Sequence, residues 1–286
     1  MARPRLKVVV REPSSEAILS NREVPFPPES GALLLRSWPL EAETPRFRLE
    51  GGRLHYLTQR YPRYGVALGG TFEAYLQNHF SAKSRSTLRR KVRAALDAEQ
   101  GGLRFQCCHR PEEVDDYLRA AAMVSERTYQ ERLLDAGLPR DEAFRQTTRA
   151  LAEAGRWWGF LLWHGQRPVS YLYTPWQEGA WRYAWLGYDP EYARWSCGTV
   201  LQWLALEELF RGNVADWFDF TEGEGDHKRL FATNRRECGT VWILPVGMRS
   251  MTLVGLHRLL EGLSSGLKRL AAWGGVAARL RRWVRR

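Results

Sequence analysis

A chain of 286 residues, 44% apolar and 26% charged, can bury a substantial core, and its composition excludes disordered, collagen-like and low-complexity polymers. No run reaches the ~18 uncharged apolar residues of a membrane-spanning helix, the three valines at 8–10 are too few for a secretory signal, and four cysteines, two of them adjacent, make no disulfide framework, so a reducing, cytoplasmic setting is expected. The formal charge is +11, but residues 249–286 hold nine Lys/Arg against Glu261 alone, a tail of +8 on a body of +3, whereas a nucleic-acid-binding domain usually spreads its basic charge over the body.

In chain order, LKVVVRE and ALLLRSW read as strands, separated by a Pro/Ser/Glu-rich loop. FRLEGGRLHYLT carries a Gly51-Gly52 turn between apolar runs, a hairpin signal. TFEAYLQNHF reads as a short helix capped by Thr71 with Glu73 in its first turn. A basic helix follows, with six Lys/Arg between Lys83 and Arg93, and stops at Gly101-Gly102. LRFQCC alternates like a strand. Residues 112–137 and 141–155 have helical spacing, parted by Pro139. Three strands, RWWGFLLW, PVSYLYTP and AWRYAWLGY, are joined by segments short enough for an antiparallel meander. A helix over 198–211, a short strand DWFDF, a short helix GDHKRLFATN and a closing strand CGTVWILPV complete the body. Three units result: an amino-terminal lobe over 1–102, a main domain over 103–248, and a tail over 249–286.

The order β-α-α-β-β-β-α-β-α-β over 103–246 resembles that of the GNAT acyltransferases, which implies an α/β (α+β) fold with a mixed, mostly antiparallel sheet flanked by helices. Two stretches make the resemblance more specific: TFEAYLQNHFSAKSRSTLRRKVRAAL, and GYDPEYARWSCGTVLQWLALEELF followed by WFDFTEGEGDHKRLFAT. Together they resemble bacterial GNAT/FemAB-like acyltransferases of the CelD type, associated with cellulose and exopolysaccharide biosynthesis. The matching positions are Gly187-Tyr188-Asp189-Pro190, Gly198-Thr199, Phe218-Asp219-Phe220 and Lys228. Cys197 stands where that pattern has proline, and His227 where it has tyrosine.

The resemblance implies that the strand before the helix at 198 splays from the strand at 216–220 to admit an acyl-pantetheine arm. The helix start, Ser196, Gly198 and Thr199, would then offer unpaired N–H groups to the pyrophosphate of an acyl-CoA, with Arg194 adding charge; the plainer alternative is an ordinary helix capped by Ser196. If Phe218 and Phe220 face the core, Asp219 faces cleft or solvent, as a general base or acceptor-orienting group, or else it is a buried carboxylate serving backbone donors. Glu222 is a second candidate base. Lys228 would hold a phosphate or steady an oxyanion, or simply be solvated. His109 beside Cys107 and Cys108 lacks the paired spacing of a metal site, so none is expected. Nine of thirteen tryptophans fall between Trp157 and Trp217, which strands favour for packing.

The expected activity is acyl transfer from an acyl-CoA to an amino or hydroxyl group of an envelope sugar or similar polar acceptor. One alternative is a Fem-type transferase using aminoacyl-tRNA, the one case in which nucleic acid would be a partner, served by the basic helix. Another is an inactive GNAT-like scaffold of a polysaccharide synthase. In the tail, Leu253, Leu256, Leu259, Leu260, Leu263, Leu267 and Leu270 form one stripe at ~100° per residue, and VAARLRRWVRR adds five arginines and Trp283. Residues 250–286 are therefore expected either to meet an anionic membrane surface, on the inner face of the membrane, or to pack their leucines on the body or on a partner.

Overall fold

The computed structural model of the chain describes residues 8–25, 31–97, 101–128, 137–212 and 216–273, with side chains as far as residue 263. The described strands are β1 (Val8–Arg11), β2 (Ala32–Pro39), β3 (Phe47–Glu50), β4 (Arg53–Ala67), β5 (Arg104–Cys108), β6 (Trp157–His164), β7 (Arg167–Gln177), β8 (Ala180–Arg182), β9 (Trp185–Tyr188), β10 (Trp217–Glu222) and β11 (Asn234–Pro245). The helices are α1 (Ser15–Leu19), α2 (Phe72–His79), α3 (Ala82–Leu96), α4 (Val114–Ser125), α5 (Glu142–Glu153), α6 (Cys197–Gly212), α7 (Asp226–Phe231) and α8 (Met248–Trp273). The strands form one open sheet in the order β1-β2-β11-β4-β10-β8-β7-β6-β5, with β3 on β4 and β9 on β7. Among the described strands, only β1–β2 and β8–β10 pair in parallel. This is the mixed, mostly antiparallel, helix-flanked sheet that the element order predicts.

Local chemistry explains the element starts. Thr71, Ser81 and Asp141 each accept a hydrogen bond from the backbone N–H three residues on, at 3.1, 3.2 and 2.9 Å, satisfying donors that α2, α3 and α5 leave orphaned. Gly51 and Gly52, at φ +55 and +72, make the β3–β4 turn that side chains with a Cβ would resist. The predicted helix over 112–137 is observed from Val114 to Ser125, and residues 129–136 lie outside the described residues.

One strand differs from its local reading. β4 does not stop after LHYLT but continues through Pro62 to Ala67, pairing with β11 on one edge and β10 on the other. TQRYPRYG has no clean alternation, so only the two neighbours, both from the far end of the chain, hold it extended. The sheet therefore does not begin at residue 103: β4, from the first hundred residues, lies near its centre.

Helices cover both faces of the half of the sheet that runs from β10 to β5. α2, α3 and α6 bury Leu76, Leu88, Val92, Val200 and Leu201 with Phe160, Leu162, Phe218 and Phe220. On the other face α4 buries Tyr117, Ala121 and Val124 with Trp157, Leu161 and Tyr173. β6 serves both layers by alternation, and each fully buried large apolar side chain contributes roughly 1.5–3 kcal/mol.

Candidate active site

The sheet parts where β8 passes into β9. Trp181 and Arg182 pair with Phe218 and Asp219 of β10, and Tyr183 N–H still donates to the Asp219 carbonyl at 2.8 Å. That is the last bond to β10: Ala184 N–H, on the other edge, donates to the Tyr173 carbonyl of β7 at 3.2 Å, and Trp185 to Tyr188 pair with β7 alone. AWRYAWLGY, which reads as one strand, is thus two, and the break is where β9 leaves β10. The divergence opens a cavity of about 530 Å³ lined by Tyr183, Leu186, Gly187, Tyr188, residues 196–199, Gln202 and His227.

The start of α6 faces this cavity. Ser196 has the left-handed conformation (φ 51, ψ 44), uncommon for a residue with a Cβ, and its carbonyl accepts from Val200 N–H at 3.0 Å. The N–H groups of Gly198 and Thr199 precede that first bond and have no intrahelical carbonyl to meet. Gly198 is on the cavity wall, and a Cβ there would stand 3.6 Å from Leu186 Cδ2 and 3.8 Å from Tyr188 Cδ1, ordinary contact. The protein's own packing does not demand glycine at this position. Cys197 lines the cavity too, but burial pushes its thiol up to about 11, so it is not a ready nucleophile. Arg194 is exposed, with its guanidinium 5.4 Å from the Trp195 ring, outside the cavity lining.

Two buried polar atoms in the cavity wall have no hydrogen-bond partner: Gln202 Nε2 and His227 Nε2. Gln202 is 1% exposed and lies one turn beyond Gly198 on the same helix face. An amide buried without a partner loses about 1–3 kcal/mol, a loss that a bound molecule can recover. His227, in the first turn of α7, stacks on Tyr183, ring centroids 5.5 Å apart. Its burial, then the adjacent Lys228 charge, opposed by Asp226, hold the imidazole below its ordinary value of 6.5. Its neutral form is therefore favoured at pH 7, and its Nε2 is buried without a hydrogen-bond partner.

The three residues expected to carry chemistry lie elsewhere around this frame. Phe218 and Phe220 face the core, and the opposite face at Asp219 is covered by α1. Asp219 is fully buried, accepting from Arg63 Nη2 at 2.6 Å, Ser15 Oγ at 2.7 Å and Thr221 N–H at 2.8 Å. Burial alone would raise its carboxyl, but Arg63's charge and these hydrogen bonds hold it below the usual range. It faces neither cleft nor solvent, and its oxygens are committed. Arg63, 1% exposed, also donates to Glu12 at 2.9 Å, so the node ties β4 and the α1 segment to β10 at the divergence. Beyond it the ladder shifts register between Asp219 and Glu222 and Thr221 takes φ +62, a bulge held by the Asp219 side chain. Lys228 Nζ, 8% exposed, donates to the Glu222 carbonyl at 2.6 Å, anchoring α7 to that bulge; burial lowers its ammonium below 10.5. The Glu222 side chain is exposed and lines a second groove, about 720 Å³, with Arg36, Tyr61, Arg182, Trp185 and Trp242.

Local pattern singled out Gly198 and Thr199 but neither Gln202 nor Arg63, and it marked His227 only as a departure from tyrosine. Gln202 does leave a signal, being the one amide in the apolar run VLQWLAL. Arg63, between a proline and a tyrosine in an exposed-looking segment, leaves none.

The Acetyltransferase (GNAT) domain family matches residues 82–229. No curated protein matches the chain. Among solved structures, FemX is similar at 13% identity, covering 78% of this chain and 74% of its own, with a TM-score of 0.49. L-PGS from Bacillus licheniformis is similar at 14% identity, covering 80% and 73%, with a TM-score of 0.48.

Proposed function

The chain belongs to the GNAT acetyltransferase-domain family, and from that premise we propose that it moves an acyl group from an acyl-CoA to an amino or hydroxyl group of a polar acceptor such as an envelope polysaccharide sugar. The observation that supports this reading is the divergence of β9 from β10 over the start of α6, at a cavity whose wall includes Gln202 and His227, each with one buried nitrogen that has no hydrogen-bond partner. Those orphaned atoms and a cavity of about 530 Å³ suit an elongated, hydrogen-bonding donor.

The donor supplies an activated thioester carbonyl. Gly198 and Thr199 N–H groups, with the positive end of the α6 dipole, hold its phosphates, and Arg194 adds charge at the mouth. Gln202 Nε2 donates to a donor oxygen and fixes its depth. The groove on the opposite sheet face takes the acceptor, with Trp185 stacking and Arg182 and Glu222 orienting polar groups. His227 Nε2 accepts the proton that the acceptor loses as its nitrogen or oxygen bonds to the acyl carbon and the carbon–sulfur bond breaks, then returns it to the departing sulfur. Asp219 and Lys228 act in this scheme by holding the bulge that sets β10 apart from β9.

A second reading rests on α3. Lys83, Arg90, Lys91 and Arg93 are partly or fully exposed, and Arg90 and Arg93 line a groove of about 810 Å³ on that helix, a footprint suited to an aminoacyl-tRNA donor. Calorimetric titration with coenzyme A and with tRNA, at low and moderate salt, separates the two. Saturable coenzyme A binding that survives moderate salt is expected. Absence of coenzyme A binding with salt-sensitive tRNA binding would shift the assignment to an aminoacyl donor.

A further inference from the structure

The eighth helix is mounted with its apolar side outward. Its inner face consists of Ser250, Val254, His257, Arg258 and Glu261. Val254 is 7% exposed and packs with Ala32, Leu54, Tyr56 and Leu244. Tyr56 Oη and His257 Nδ1 are 2.7 Å apart, Arg258 lies 5.0 Å from the Phe47 ring centroid, and Glu261 pairs with Arg46. Across the helix, Leu253, Leu256, Leu259, Leu260 and Leu263 are 55, 53, 67, 56 and 64% exposed. Met251 and Leu49 of β3, at 59 and 70%, extend the patch around the groove beside Val254. A surface helix normally turns its apolar stripe to the core; here the polar side is docked and the leucines face out.

Charge identifies what covers them. Residues 249–286 carry nine Lys/Arg, and their one carboxylate, Glu261, is turned inward and neutralised by Arg46. A second copy docking stripe to stripe would press two +8 segments together. An anionic bilayer meets the same charge with attraction and offers the leucines an apolar boundary. Among the described residues no helix is long and apolar enough to cross a membrane. We propose that α8 lies in the plane of an anionic lipid surface, with Leu256, Leu259, Leu260 and Leu263 sunk into the headgroup–acyl boundary and the net positive charge of residues 249–286 drawing it there. This holds independently of the acyl-transfer reading.

The test uses the full chain in co-sedimentation with vesicles of phosphatidylcholine, alone or mixed with phosphatidylserine, beside light scattering for mass. The wild type should bind the mixed vesicles at low salt about tenfold or more better than the neutral ones. The variant Leu256→Ser/Leu259→Ser/Leu263→Ser, altered only at exposed positions, should keep its melting profile and lose about tenfold or more of that binding. The variant Arg279→Ala/Arg281→Ala/Arg282→Ala should bind less and show a weaker salt dependence. Three results overturn the proposal: no sedimentation of wild type at low salt, leucine substitutions that leave binding unchanged, or a wild-type dimer that the leucine substitutions convert to a monomer.

Discussion

At the scale of single residues, burial separates the titratable groups of the site into two jobs. His227 is held neutral and partnerless, whereas Asp219 is held charged and fully partnered. His227→Ala should lower turnover about 10²-fold with little change in donor KM, read by release of free thiol from the thioester. Because burial and Lys228 depress the imidazole, the acid limb of the wild-type rate profile should fall below pH 6.5, and it should vanish in the variant. An unchanged limb in His227→Ala would assign the proton transfer to another group. Asp219→Asn should leave the buried Arg63 guanidinium with Glu12 as its one remaining ionic partner among the described residues, destabilising the fold by up to about 3–5 kcal/mol. The folded Asp219 carboxyl lies below its unfolded value. Its contribution is therefore complete above about pH 4 and lost as pH falls through the depressed folded value. Thermal melts taken from neutral to acid pH should show a flatter acid slope in the Asn variant. Alternation correctly turned Phe218 and Phe220 to the core, yet could not show where Asp219 would end, because the segment covering it is 204 residues away, at Ser15. Local pattern reports which way a side chain points; it is silent on what distant chain is waiting there.

Among elements, the meander and the helix after it were legible because their apolar periods are strong and their connections short. The loss of β10 as a neighbour within AWRYAWLGY was not, since both halves are aromatic and equally suited to a strand. At the helix start, Gly198 offers a clean separation of fold from function. Alanine fits the space beside Leu186 and Tyr188 and should raise stability by about 0.5–1 kcal/mol, as alanine does over glycine inside helices. Leucine would project into the cavity. Gly198→Leu should weaken coenzyme A binding about tenfold or more, with a melting temperature close to that of Gly198→Ala. Equal affinity in the two variants would remove the α6 start from the donor site. The same element logic bears on α8. Its leucine stripe was visible in the sequence, but the sequence left open whether the stripe met the body, and Val254 and His257 occupy that contact instead.

For the whole molecule, the fold class followed from element order, whereas the membership of the central sheet did not. β4 stands between β10 and β11, its partners some 150 to 190 residues downstream in the chain. Its pairing is enforced by both flanking ladders and by the Arg63 node rather than by its own alternation, so inspection of residues 59–67 alone could not find it. The family match begins at residue 82 and ends at 229, which leaves out β4, the neighbour of β10, and β11, the neighbour of β4. What is recognisable by common descent is therefore smaller than what can fold. The order of synthesis sharpens this mismatch: when β4 leaves the ribosome its central partners have not yet been translated. The nascent chain must keep an unpaired strand edge from other chains until residue 245 has emerged.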